Sequence, residues 1–383
     1  MTLAFSSRTR EFSNDGDVAH VSFRRDFSDG QLIESTQSVD RSLDLVRLAP
    51  FNAETPAAAL AKAITPTDQI FVRSNFAVPA LGGEAHRVTV TGAVRRELEI
   101  SVGELRSMRE ARRDIEVTLE CAGNSRLHLC PLPTGELWSN GALSTSRWTG
   151  YPLRHLLERA ELDAKAIEIL VEGADAGTTG DGTTTGFGRS LPIAEAMRDD
   201  VLLAFDVNGE PLAAAHGAPL RLIVPGWYGM ASVKWVTRIS ALTHHFEGYF
   251  QKQRYVFEEP GRTSTPVTRM RVKSIIVSPA EGERIERGRM EVTGWAWSGT
   301  GRIVRVEVAV DEGDDWREAK LQEPGSDHAW VRWSLQCEAS QPGRHVLRSR
   351  ATDAAGNSQP DAISWNRLGY GNNAVRPLVF TVE

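Results

Sequence analysis

Cys121 is the residue with the most chemistry to offer. It follows a strand-like run, Ile115–Glu120, and opens a small-residue turn, Ala122-Gly123-Asn124-Ser125-Arg126, that ends in a cation. A thiolate at a strand end beside an arginine is stabilised by that charge and can serve as a soft metal ligand or as a nucleophile. Without such a setting a lone cysteine packs as a small hydrophobe. Arg73, His216 and Arg221 are further candidates, although each alone also reads as a surface charge, a satisfied histidine or a strand arginine. The Gly/Thr-rich run 177–188, which contains Asp181, is either a phosphate cradle or a surface loop. His244 and His245 are adjacent, and on an extended chain neighbours point to opposite sides, so they do not share one ion. A GxGxxG after a strand, a P-loop, an HExxH and a GxSxG are all missing.

The elements that must carry these groups are short. Arg87–Gly92 and Ile115–Glu120 alternate as strands, Ser101-Val102-Gly103-Glu104 has the spacing of a capping box, and Leu153, Leu156, Leu157 and Ala160 repeat at helical spacing. A helix is expected over 57–64 after Thr55-Pro56, a strand over 167–171, and a turn at Asn208-Gly209. The pattern is α+β with short helices. Past the Pro/Gly/Ser/Thr stretch 260–266 the texture changes to strand runs at 272–277, 289–297, 303–310, 329–335, 345–352 and 378–382, with no helical pattern. That is a β-sandwich. Six of ten tryptophans fall in this last part, more than one small core needs, so the surplus is expected at an interface. The division is therefore an irregular N-terminal arm (1–45), a catalytic domain (46–262) and a sandwich (270–383).

With 383 residues, two cores are expected. Lys and Arg total 44 against 50 Asp and Glu, a net charge of −6 without a basic tail, which argues against nucleic acid or an anionic membrane as partner. An anionic substrate must be drawn in by local arginines. Three cysteines give no disulfide framework, and a reducing compartment fits. Arg24-Arg25 is followed by polar residues instead of an apolar segment, so no cleavable signal is read. The cytoplasm is the default, with periplasmic export left open.

In order, the runs Phe71-Val72-Arg73-Ser74-Asn75, Glu120 to Arg126, Gly141 to Gly150, Ser190 to Met197, Asn208 to Leu212, His216 to Arg221 and Val224 to Trp235 resemble the sulfite oxidase family of molybdenum enzymes. The resemblance extends from about residue 50 to the C-terminus and includes a tail similar to the family's immunoglobulin-like dimerisation domain. It implies a mixed molybdopterin domain followed by an all-β immunoglobulin-like sandwich, and a homodimer through the latter. It also implies one Mo-molybdopterin per chain with Cys121 as the single protein ligand to molybdenum. Phe71, Val72, Arg73, Ser74, Asn75, Asp181, His216, Arg221, Ser232, Val233 and Lys234 fall at pterin-holding positions. Arg73, Arg126, Trp138 and Tyr255 match the oxyanion pocket, where arginine forks grip two oxygens at once. The implied reaction is sulfite to sulfate, with electrons leaving to oxygen or to an external acceptor such as a cytochrome or a quinone-linked protein.

Asn75 and Ser125 stand where relatives commonly have histidine and arginine, and Arg367 is one position off a third pocket arginine. With no CxxCH and no b-type haem segment, no haem is expected. Oxidation of a sulfane sulfur, reduction of nitrate, or a non-catalytic binding role for the sandwich are the alternatives. Since all matched pterin positions precede residue 263, a chain ended near Thr263 is expected to keep some pterin while losing the dimer.

Overall fold

The computed structural model describes the strands Phe12–Asp15, Val18–Val21 and Gln37–Asp40 and residues 42–383 except 259, 260, 262, 312, 314 and 364. Those three strands pair antiparallel, so the arm expected to be irregular carries a small sheet. Arg24-Arg25 lies outside the described residues, as does part of the 260–266 linker.

Two sheets carry the catalytic region. The first has the strand order 184–192, 168–178, 236–242, 87–92, 98–101 and is antiparallel except where 236–242 runs beside 87–92. The second orders 210–211, 202–207, 143–152 and 113–120, with 221–223 added on 202–207. Leu202–Val207 is buried at every position, as a strand covered on both faces must be. Between the sheets, Leu153–Arg159 forms a helix whose Leu153, Leu156 and Leu157 all face the core. The capping box forms as expected: Glu104 N donates to Ser101 Oγ, and Ser101 N donates back to the Glu104 carboxylate. At Asn208-Gly209 both residues have positive φ, 51° and 85°, which closes a tight hairpin.

One helix is shorter than its sequence suggests. It spans Ala57–Leu60, not 57–64. The carbonyls that would continue it are taken by indoles from the sandwich: Trp295 Nε1 donates to Leu60 O at 2.7 Å and Trp330 Nε1 to Ala63 O at 2.9 Å. The two rings stack with centroids 4.7 Å apart. Among the described residues no helix is long and apolar enough to cross a membrane.

The C-terminal region is a sandwich of a four-stranded sheet (order 273–278, 288–297, 331–339, 320–321) and a five-stranded sheet (284–285, 378–382, 343–353, 303–310, 317–318). Trp333, fully buried, sits in its core with Val292, Val306, Leu347 and Phe380. Trp295, Trp297 and Trp330 instead join the apolar cluster of the catalytic region. Three of the six tryptophans therefore line an internal seam, while Trp316 stays within the sandwich beside Arg348 and Arg350.

Candidate active site

Strand 113–120 pairs with 143–152 so that Glu120 lies opposite Leu143, and Cys121 N then donates to Ala142 O at 2.8 Å. The thiol is delivered to the end of the sheet at 7% exposure. Burial pushes its pKa up, and the charges of Arg73 and Arg126 oppose that. Around it runs a cleft, about 50 Å³ in cavity volume, whose lining includes Phe71, Arg73, Ser74, Asn75, Tyr255 and His216. Arg221, Ser232, Lys234 and Asp175 complete its polar wall. Six segments far apart in sequence thus meet at one place.

Each segment is held by its backbone. Phe71–Asn75 is extended and tied to Ala53 through reciprocal bonds with Val72. His216 ends a one-turn helix, Ala214–His216, and Arg221 opens the strand Arg221–Ile223. Ser232 caps the turn Gly229–Ala231, its hydroxyl accepting from Val224 N at 3.1 Å. Asp175 is aimed by a bulge: pairing of 168–178 with 184–192 slips between Glu172 and Ala176, turning the residues between toward the cleft. That bulge requires Gly173, where a Cβ would meet the Lys234 carbonyl at 2.5 Å.

The electrostatics point to an anion. Arg73 donates to Asn75 Oδ1 at 2.6 Å and to Asn52 Oδ1 at 3.3 Å. Lys234 Nζ donates to Ser74 Oγ at 2.9 Å and Ala215 O at 2.8 Å, and Arg221 Nη1 to His216 O at 3.2 Å. All of these acceptors are neutral, and among the described residues none of the three cations has a carboxylate ion-pair partner. Arg221, at 7% exposure, keeps a buried Nε with no acceptor. Burial lowers Arg221 to about 10, and burial together with the Arg221 charge holds Lys234 well below the usual lysine range. Burial, then Arg221 and Lys234, drop His216 to about 3, so its ring is neutral near pH 7. Asp175 rises to about 6 through burial, against the pull of Lys234, and its Oδ1 has no partner. Recessed cations of this kind are costly unless an anion completes them. A soft thiol, orphaned cationic donors and an orphaned carboxylate in one cleft suit a metal–pterin with its phosphate.

Several expected residues stand elsewhere. Asp181 is outside the cleft, at its mouth, accepting from Tyr249 OH at 2.8 Å and Thr183 N at 3.1 Å. The cleft's carboxylate is Asp175, which sequence reading missed. Val72 and Val233 are buried behind the wall and contribute backbone bonds. Arg126 does not line the cleft, because Nε donates to Leu368 O at 3.0 Å and Nη1 to Glu136 O at 2.6 Å. Gly123 makes room for it, since a Cβ there would lie 2.5 Å from Arg126 Nη2. Trp138 is fully buried in the apolar cluster that holds Cys121 and Phe71, and its Nε1 lacks a partner. Arg367 lies at the mouth, held by the Glu258 carboxylate. Arg254, at the end of a π-helical turn 250–254, faces the same mouth without an ion pair among the described residues.

Comparison with known proteins agrees with this reading. Residues 75–250 match the oxidoreductase molybdopterin binding domain and residues 264–378 the Mo-co oxidoreductase dimerisation domain. Sulfite oxidase of Gallus gallus is 34% identical over 348 residues, covering 85% of this chain and 75% of that protein. Mitochondrial sulfite oxidase of Homo sapiens is 35% identical over 85% of this chain, which spans 63% of its length. A nitrate reductase (NADH) of Phaseolus vulgaris is 33% identical over 88% of this chain and 42% of its own. Among solved structures, the sulfane dehydrogenase SoxCD from Paracoccus pantotrophus superposes with a TM-score of 0.77 at 30% identity over 88% of each chain. With both domains matched and a relative covered over three quarters of its length at 34% identity, the chain belongs to the sulfite oxidase family of molybdopterin-dependent oxidoreductases.

Proposed function

We propose that the protein oxidises sulfite at this cleft: sulfite and water give sulfate, two protons and two electrons, the electrons leaving to oxygen or to an external acceptor. The observation that carries the reading is the convergence of Cys121 with Arg73, Arg221 and Lys234, cations that lack carboxylate partners among the described residues. Cys121 would be the protein ligand to molybdenum. Arg221, Lys234, Ser232 and the 71–75 segment would hold the pterin phosphate, and Asp175 and neutral His216 its ring donors and acceptors. When bound, the cofactor would supply oxygen-atom transfer to sulfur and take up the two electrons.

The chain's own residues set the rest. Arg73 sits between Cys121 and the mouth, and its planar fork fixes two oxygens of a pyramidal oxyanion while leaving the sulfur lone pair free. Asn75 orients that fork and donates from Nδ2 to Tyr255 OH at 3.3 Å, which places a hydroxyl beside the same oxyanion. Trp138 and Phe71 close the apolar side behind the thiol and exclude water there. Arg254 at the mouth draws the anion inward.

The sandwich supplies a homodimer contact in this reading, on the match of residues 264–378. The test is molybdenum content measured together with sulfite-dependent reduction of an artificial acceptor. Nitrate and thiosulfate-derived substrates serve as competitors: turnover of either while sulfite fails would move the activity elsewhere in the family. Protein prepared with active cofactor synthesis yet free of molybdenum would leave only a binding role.

A further inference from the structure

The sandwich touches the Cys121 turn directly. Lys273, on the strand Lys273–Ser278, donates from Nζ to Glu120 Oε1 at 3.0 Å and to Ser125 Oγ at 2.8 Å. Trp297, at the end of the strand Gly288–Trp297, donates from Nε1 to Glu120 Oε2 at 3.0 Å. The two side chains of the ion pair are 5% and 2% exposed. Glu120 Oε1 also accepts from Asn124 Nδ2 at 3.0 Å, and Asn124 Oδ1 accepts from Ala142 N at 3.2 Å. The C-terminal loop adds main-chain fixtures: Gly371 N donates to Ala122 O at 2.8 Å and Asn372 Nδ2 to Ser125 O at 2.9 Å. Ser125 itself is held at φ 66°, a left-handed conformation that a free serine seldom keeps. Every residue from Glu120 to Ser125 except the thiol-bearing Cys121 and Gly123 therefore has a partner in the sandwich region or in a neighbour so anchored.

We propose that Lys273 and Trp297 are positioning residues for the metal ligand: clamped at both oxygens, the Glu120 carboxylate fixes the turn that carries Cys121 from a domain that contributes nothing to the cleft itself. Buried, doubly held carboxylates have one geometry, and partners behind a ligand are what orient it. This rests on reading Cys121 as the metal ligand. It also reverses the expectation that a chain ended near Thr263 would keep its pterin, because that cut removes Lys273, Trp297, Gly371 and Asn372 together.

Two variants test it. Lys273→Met removes the charge at similar length, and Trp297→Phe removes the indole N–H together with the pyrrole half of a buried ring while keeping an aromatic side chain. In cofactor-free protein, alkylation of Cys121 by iodoacetamide, followed on its own peptide by mass spectrometry so that Cys130 and Cys337 do not interfere, should speed up about tenfold or more in both. In loaded enzyme the electron paramagnetic resonance signal of partly reduced molybdenum should shift, and kcat for sulfite should fall about ten- to a hundredfold with KM little changed. An unchanged resonance signal in both variants at full molybdenum content overturns the proposal, whatever the alkylation rate. Should Lys273→Met not fold, Trp297→Phe alone decides. The underlying reading fails separately: a Cys121→Ser protein that binds molybdenum and turns over sulfite removes the ligand without any reference to the sandwich.

Discussion

The inner cleft and its mouth hold the same residue types, but two of the mouth's arginines are paired with carboxylates where, among the described residues, the cleft's cations are not. At the mouth, Arg47 meets Glu136 at 2.9 Å and Arg367 meets Glu258, both arginines exposed. Inside, Arg73, Arg221 and Lys234 donate to amide, hydroxyl and carbonyl oxygens, and Arg221 and Lys234 also lie over the Trp148 and Trp235 rings. Surface pairs of the first kind contribute little to stability, because solvent screens them and long side chains must be ordered. Recessed cations of the second kind cost stability, and three of them converging on one cleft suit a ligand that supplies the missing negative charge.

Ranked by expected effect, Cys121→Ser comes first. It should abolish turnover while leaving the unfolding midpoint near that of the parent, since a hard alkoxide replaces a soft thiolate at similar volume. Substantial activity in a molybdenum-replete variant would dissolve the assignment. Next, Arg221→Met should act in opposite directions on two readouts. Retention of the pterin should weaken by about ten- to a hundredfold, the worth of one charge-assisted hydrogen bond, while the cofactor-free protein should gain in melting temperature because a buried, unpaired cation is gone. A lowered melting temperature would show that Arg221 is structural and would end the contrast between cleft and mouth.

Arg73→Gln should lower kcat/KM for sulfite by about ten- to a hundredfold, and Arg73→Lys should recover only part because an ammonium lacks the fork. Unchanged kinetics would take Arg73 out of the site. Asp175→Asn probes the cleft's one carboxylate through pH. With its folded pKa raised to about 6 from 3.8, folded protein holds the proton that unfolded chain releases, so stability is lost as pH rises between those values. The cofactor-free variant should therefore be more stable than the parent at pH 7, by about 3 kcal/mol, and nearly level with it at pH 4. His216 works the other way. Its neutral form is favoured down to about 3, so its contribution is full above the ordinary histidine range and is lost as pH falls. The smallest effect belongs to the mouth: Arg367→Gln should leave kcat/KM within about twofold, and a large loss would place this arginine in the pocket after all.

Much of this was readable from sequence where the determinant is local. A strand that alternates, a cysteine after it and a small-residue turn needed no distant information, and the capping box at Ser101 and the Asn208-Gly209 hairpin formed where they were expected. What escaped depends on partners remote in the chain. Asp175 looks like any acid in a strand until two neighbouring strands slip in register around it. Arg126 reads as a free cation beside the thiol, yet its donors go to carbonyls at 136 and 368. The helix at 57 stops early because of indoles more than two hundred residues away. Tryptophan counts announced an interface without saying that it lies inside the chain.

The loop contacts made by Gly371 and Asn372 also set an order in time. Ala122 and Ser125 leave the ribosome about 250 residues before the groups that bind their carbonyls. At roughly 5–20 residues per second, that is a wait on the order of ten to fifty seconds. Throughout it the thiol-bearing turn exists without the donors that fix it. A nascent chain stalled short of residue 371 therefore carries its thiol-bearing turn without these two donors.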